Sequence, residues 1–174
     1  MAPGATVVAR AMEAAAATST QDDGLTAVEL RAWRGLLRVQ ASLVKALDAQ
    51  LEASHDLQLT SYEVLLYLAE AKNCRMRMHD VASSVRLSRS GLTRLIDRLE
   101  RDGLVSRVSC SDDARGAFAC ITDEGRAKLE QARGTHLAAV RRHFLAHLSS
   151  EELEVVADLW ERLLPDACCT PAVS

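Results

Sequence analysis

The stretch SRSGLTRLIDRLERDG, Ser88 to Gly103, constrains the fold more than any other part of the chain. Wound at 3.6 residues per turn, it puts Leu92, Leu95, Ile96 and Leu99 on one side and Ser90, Thr93, Arg94, Asp97, Arg98 and Arg101 on the other. One face is built for burial, and the other offers water three arginines and two hydroxyls. Ser88 suits an N-cap and Gly103 a C-cap. A short helix at about His79 to Val85 precedes this stretch across a three- or four-residue turn, the spacing of a helix-turn-helix. Two strand-like runs, LVSRVSC and RGAFACI, follow it around SDDA and make a wing. RMRM, Arg75 to Met78, predicts a third short strand that pairs with them.

Around this centre the chain reads as helical. TAVE (Thr26 to Glu29), TSYE (Thr60 to Glu63) and SSEE (Ser149 to Glu152) each fit the capping box S/T-x-x-E. Thr122, followed by Asp123 and Glu124, marks a further helix start through the dipole. The expected helices run from about Thr26 to Ala53, Thr60 to Lys72, Thr122 to His147 and Ser149 to Leu164. Residues 1–24, rich in Ala, Ser, Thr, Gly and Asp, read as a flexible tail with a helical turn from Val7 to Ala17, and 166–174 as a second tail. The expected fold is therefore mainly α, one domain over 25–165, with the order helix, helix, short helix, polar-faced helix, β-hairpin, helix, helix.

Composition limits the function. A formal net charge of −3 gives no global sign of a polyanion partner, but residues 72–115 hold ten Lys/Arg against six Asp/Glu while the rest hold eleven against eighteen. A basic segment in an acidic chain is a candidate electrostatic footprint. Arg10 and Glu13 break the alanine-rich start, so no secretory core is expected, and no run reaches the ~20 apolar residues of a membrane span. The five cysteines, Cys74, Cys110, Cys120, Cys168 and Cys169, are odd in number and form no C-x-x-C, which reads as free thiols in a reducing cytoplasm. No Gly-rich phosphate loop or G-x-S-x-G is present, so the chain is not expected to be an enzyme or to hold a cofactor.

The run from LTSYEVLLYLAEA through RMRMHDVASSVRLSRSGLTRLIDRLERDGLVSRVSCSDDARGAFACITDEG resembles the MarR family of winged helix-turn-helix transcription regulators over roughly residues 30–165. Its most specific parts are the S-x-S-x-x-T-R-x-x-D-R-L-E-x-x-G-L-V-x-R run and the D-x-R-G of the wing. The resemblance implies a homodimer held by its first and last helices, here 26–53 and 122–164, with 60–121 as the DNA-binding lobe. It also implies repression of a target operon.

The residues themselves carry the same reading. Ser88 at the helix start aims backbone amides forward, which suits phosphate. Ser88, Arg89, Ser90, Thr93, Arg94 and Arg98 form the expected reading face, since Arg bonds guanine O6 and N7 bidentately and Ser or Thr takes a base or a phosphate. Asp97 among them is expected to orient an arginine. In the wing, Arg115 before Gly116 suits a narrow minor groove, with Asp113 holding it extended, and Arg107 on the first wing strand either contacts phosphate or lies on the sheet. An ordinary solvated helix face and an ordinary turn are the competing readings.

One such helix reads only a few base pairs, so a homodimer on a palindromic operator is expected, with half-sites about one turn apart. Leu137, Val140, Phe144, Leu153, Val156, Leu159, Trp160 and Leu163 supply apolar surface for it. Three sensors are open. A small-molecule effector would sit between the dimer helices and the DNA-binding lobe, where relatives bind phenolic acids, with Trp33, His55, Tyr62 and Tyr67 as candidate lining. A redox sensor would use Cys110, near Arg107 and Arg115; the first-helix cysteine of the peroxide-sensing branch is missing. A metal sensor would use His136, His143 and His147 on one helical face, although no metal is expected. An adaptor that has kept the winged helix for protein contact alone is the remaining alternative.

Overall fold

A computed structural model of the chain describes residues 24–109 and 117–164. Six α-helices and three strands follow in the order α1 (Ala27–His55), α2 (Leu59–Glu70), β1 (Arg75–Arg77), α3 (Met78–Ser84), α4 (Arg89–Arg101), β2 (Val105–Ser109), β3 (Ala117–Ile121), α5 (Asp123–His143) and α6 (Ser150–Leu163). Contacts divide the chain into one unit up to Arg38, which holds the first part of α1, and a second from Val39 onward. The expected tails, the Val7–Ala17 turn and the wing tip with Cys110, Asp113 and Arg115 lie outside the described residues, as do Cys168 and Cys169.

In the first unit Thr26 and Glu29 close the expected capping box: the Thr26 amide donates to Glu29 Oε2 at 2.7 Å and the Glu29 amide to Thr26 Oγ1 at 3.3 Å. Ser149 and Glu152 do the same for α6. The box expected at Thr60 and Glu63 does not form. The helix starts at Leu59, one residue before Thr60, so Thr60 already has helical geometry. Asp48 Oδ1, from α1, accepts the orphan Leu59 amide at 2.7 Å instead.

The core of the second unit gathers Leu51 of α1, Val64, Leu65 and Leu68 of α2, Val81 of α3, and the full apolar side of α4. Leu92, Leu95, Ile96 and Leu99 are all buried, as the helical period requires. Each such side chain contributes roughly 1.5–3 kcal/mol on leaving water, so the four hold α4 rigidly with its other side outward.

The sheet has the order β1-β3-β2 and is antiparallel throughout. The third strand forms from Arg75–Arg77, with Arg75 opposite Cys120 and Arg77 opposite Phe118, while Met78, expected in the strand, opens α3. Gly103, at φ +73°, closes α4: its amide bonds to the Glu100 carbonyl at 3.1 Å and that of Leu104 reaches back to Leu99 at 2.8 Å. Thr122 then joins the end of α4 to the start of α5. Its hydroxyl donates to the Gly103 carbonyl at 2.7 Å and accepts the Gly125 amide at 3.0 Å. A Cβ on Gly125 would overlap the Leu104 carbonyl oxygen, so this junction admits no larger residue.

The helix expected to reach His147 ends at His143. Phe144 leaves helical geometry at φ −129°, ψ −66°, and a 3-10 turn covers Leu145–His147. His147 therefore does not share one helical face with His136 and His143. No group of three or more His, Cys, Asp or Glu that could hold a metal exists among the described residues.

Candidate nucleic-acid interface

The helix-turn-helix is α3, the turn Val85–Ser88, and α4. The turn is closed by the Leu87 amide bonding to the Ala82 carbonyl at 2.9 Å and the Arg86 amide to Ser83 at 3.2 Å, with Arg86 left-handed at φ +54°. Glycine usually fills that place. Ser88 then caps α4, its Oγ accepting the Gly91 amide at 3.1 Å.

Of the expected reading face, Ser88, Arg89, Ser90, Thr93 and Arg94 are exposed together on the first turns of α4. Their hydroxyls are already oriented. Ser90 Oγ lies 3.3 Å from Ser88 Oγ, Thr93 Oγ1 donates to the Arg89 carbonyl at 2.9 Å, and Arg94 Nε reaches the Ser90 carbonyl at 3.4 Å. Arg98 is turned elsewhere. Its Nη2 donates to Gln58 Oε1 at 2.7 Å and to the buried Ser61 Oγ at 3.0 Å, so it ties α4 to α2.

Arg107 also has protein partners. Nη2 meets Asp97 Oδ1 at 2.5 Å and Nη1 meets Glu100 Oε2 at 2.6 Å. Its backbone amide donates to Glu100 Oε1 at 3.1 Å. The arginine that Asp97 orients is thus the one on the wing strand. Glu100, which completes the clamp, was not singled out from the sequence; its signal was the i, i+3 acidic pair beside a strand arginine. The clamp sets one guanidinium against two carboxylates, so it offsets only part of their negative charge beside the face on which Arg89 and Arg94 are exposed.

A cavity of about 750 Å³ lies in the second unit between the later part of α1, α2 and the helix-turn-helix turn, lined among others by Val44, Lys45, Glu63, Tyr67 and Arg86. Burial raises the Glu63 carboxyl above its ordinary value, and the Arg86 charge works against that rise. Of the candidate ligand residues in this unit, Tyr67 lines the cavity. Tyr62 stacks on His136 at 4.5 Å between ring centroids, and His55 Nε2 lies 2.7 Å from Thr135 Oγ1. Trp33, in the first unit, is 52 % exposed. Burial also raises the Cys120 thiol, which keeps it in the unreactive form.

A helix-turn-helix with an outward polar second helix, followed by an antiparallel wing braced on that helix, is a winged helix-turn-helix, a class of DNA-binding fold. The MarR family signature matches residues 55–116. The repressor YetL of Bacillus subtilis is 31 % identical over 64 % of this chain and 68 % of its own length. AbsC of Streptomyces coelicolor, a MarR family transcriptional regulator, superposes with a TM-score of 0.75 at 35 % identity, over 83 % of this chain and 97 % of AbsC. Sco3205 of the same organism, solved in complex with DNA, gives 0.76 at 31 % identity over 87 % and 95 %. The chain belongs to the MarR family of transcriptional regulators.

Proposed function

We propose that the chain is a sequence-specific repressor that binds a palindromic operator in the cytoplasm as a homodimer. The observation that carries this reading is the exposed, pre-oriented face of Ser90, Thr93 and Arg94 on a helix whose other side is fully buried. These three reach base edges in the major groove, while Ser88 and Arg89 hold phosphate. Arg115, oriented by Asp113, enters the flanking minor groove. The DNA complex of Sco3205 supports the assignment of the partner.

Dimerisation is carried by 26–53 and 122–164. No residue of α6 is buried, and Val155, Leu159 and Leu163 are exposed; on α1, Leu36, Leu37, Val39 and Val44 are exposed too. Apolar helix faces of this extent call for a partner surface, and a second copy supplies it. The 750 Å³ cavity is within the range of small-molecule sites, and a ligand there acts by favouring one position of the turn that carries Arg86.

Arg94→Ala tests the reading face. It is expected to cost ~1–3 kcal/mol of operator binding and to relax base preference, read by fluorescence anisotropy on operator and single-substituted duplexes. Unchanged affinity and preference would contradict the assignment.

A further inference from the structure

Two side chains fasten the start of α2, and both stand in the wall of the 750 Å³ cavity: Asp48 and Gln58. Asp48 accepts the Leu59 amide at 2.7 Å, the capping that Gln58, the N-cap residue, leaves undone. Gln58 has extended backbone at φ −67°, ψ 147°, and its side chain makes no capping bond to its own helix. Its Oε1 instead accepts from Arg98 Nη2 of α4 at 2.7 Å. A guanidinium only donates, so the amide oxygen is the end of Gln58 that can serve it. The same arginine nitrogen reaches the buried Ser61 Oγ of α2 at 3.0 Å. Gln58 and Thr60 also line a second recess, of about 280 Å³, whose other walls include Arg94 and Arg98. The start of α2 therefore borders both the cavity and the recognition helix.

We propose that Gln58 is a positioning residue that couples the cavity to α4. The inference rests on the reading of the cavity as a ligand site. Gln58 has two arrangements open to it, bonded to Arg98 or turned to an occupant of the cavity. An occupant that hydrogen-bonds the Gln58 amide favours the second, and that preference is what shifts the balance between them. Arg98 then keeps only Ser61, and α4 loses one of the two bonds that this arginine makes to α2. Arg94 lies one turn before Arg98 on α4 and faces the recess that Gln58 shares, so a shift of the helix there moves a base-reading side chain. Filling the cavity thus weakens base readout, while the charges that meet phosphate stay in place.

The test needs no identified ligand, because a side chain can be built into the cavity. Ala41 lines it from α1, and Ala41→Trp fills it with an indole. Affinity for the selected operator and for a scrambled duplex is measured in Ala41→Trp, Gln58→Leu, the double variant, and Gln58→Glu with and without Ala41→Trp. Ala41→Trp and Gln58→Leu are each expected to lower operator affinity about fivefold, the low end of an allosteric coupling, and to leave the scrambled duplex nearly unchanged. In the double variant the indole should have little further effect, because the bond it acts through is already gone. Gln58→Glu keeps an oxygen for Arg98, so it should restore both the preference for operator and the response to Ala41→Trp. An indole effect of equal size with and without Gln58, an unchanged operator preference in Gln58→Leu, or equal losses in Gln58→Leu and Gln58→Glu would each overturn the proposal. No effect of Ala41→Trp on the wild type would overturn the cavity as a control site, and the coupling with it.

Discussion

Asp97 of α4 and Arg107 of β2 meet at 2.5 Å, with Glu100 of the same helix at 2.6 Å from the other terminal nitrogen of the guanidinium. Helix α4 and the first strand of the wing are thereby fastened together through side chains. The Arg107, Asp97 and Glu100 side chains are 28 %, 49 % and 40 % exposed, so solvent screens the pair and Asp97→Asn or Arg107→Gln should each cost no more than about 1 kcal/mol in urea unfolding. The double variant should cost less than the sum of the two single variants. Operator affinity should fall in all three, because the wing no longer moves with the helix. Full additivity would mean that the two side chains do not act together.

Asp48 holds the first amide of α2 from a neighbouring helix. Leu59 is 7 % exposed, so water is a poor substitute. Asp48→Ala should destabilise the protein by about 1–2 kcal/mol, while Asp48→Asn, which keeps an oxygen in place, should cost less. Equilibrium unfolding of the two variants separates the outcomes; equal costs would place the loss in charge rather than in the cap.

Arg86 sits left-handed, at φ +54°, where a glycine would be unstrained. Arg86→Gly should stabilise the fold by about 0.5–1 kcal/mol, the relieved strain less the greater chain entropy of glycine. The same change removes the charge that opposes the rise of the Glu63 carboxyl in the cavity. Thermal unfolding reads the first effect, and a midpoint below that of the wild type would contradict it.

His136 stacks on Tyr62, and its buried Nδ1 has no hydrogen-bond partner among the described residues. Burial disfavours the imidazolium, so the folded protein holds this histidine below the ordinary 6.5. The unfolded chain takes up the proton near 6.5, and the folded chain only at lower pH. Stability present above 6.5 is therefore lost as pH falls from there through the folded value. The difference in melting temperature between the wild type and His136→Gln should shrink over that window. A constant difference would show that His136 does not titrate in the folded protein as described.

The parts legible in the sequence were those set by near neighbours. Ser88, the Leu92-Leu95-Ile96-Leu99 stripe and Gly103 lie within sixteen residues and state one helix with both its ends. The third strand was legible because Arg75 to Arg77 sits beside the short helix that the motif requires. What escaped depends on partners far along the chain. Arg98 looks outward on a helical wheel, yet Ser61, 37 positions earlier, draws it in. TSYE has the capping pattern, yet Asp48 reaches the helix start first. Arg107 had two readings until Asp97 and Glu100 came beside it in space. Helical pattern alone could not place the end of α5 either, because the break at Phe144 is conformational and carries no proline or glycine.

The most direct measurement is selection of random duplex DNA by the purified protein, with the enriched pool sequenced after several rounds. A two-fold palindrome with half-sites about 10 base pairs apart is the predicted result. Its central preferences should be lost in Arg94→Ala. A pool without enrichment, bound only as strongly as its salt dependence dictates, would contradict the account of α4 as a reader of sequence.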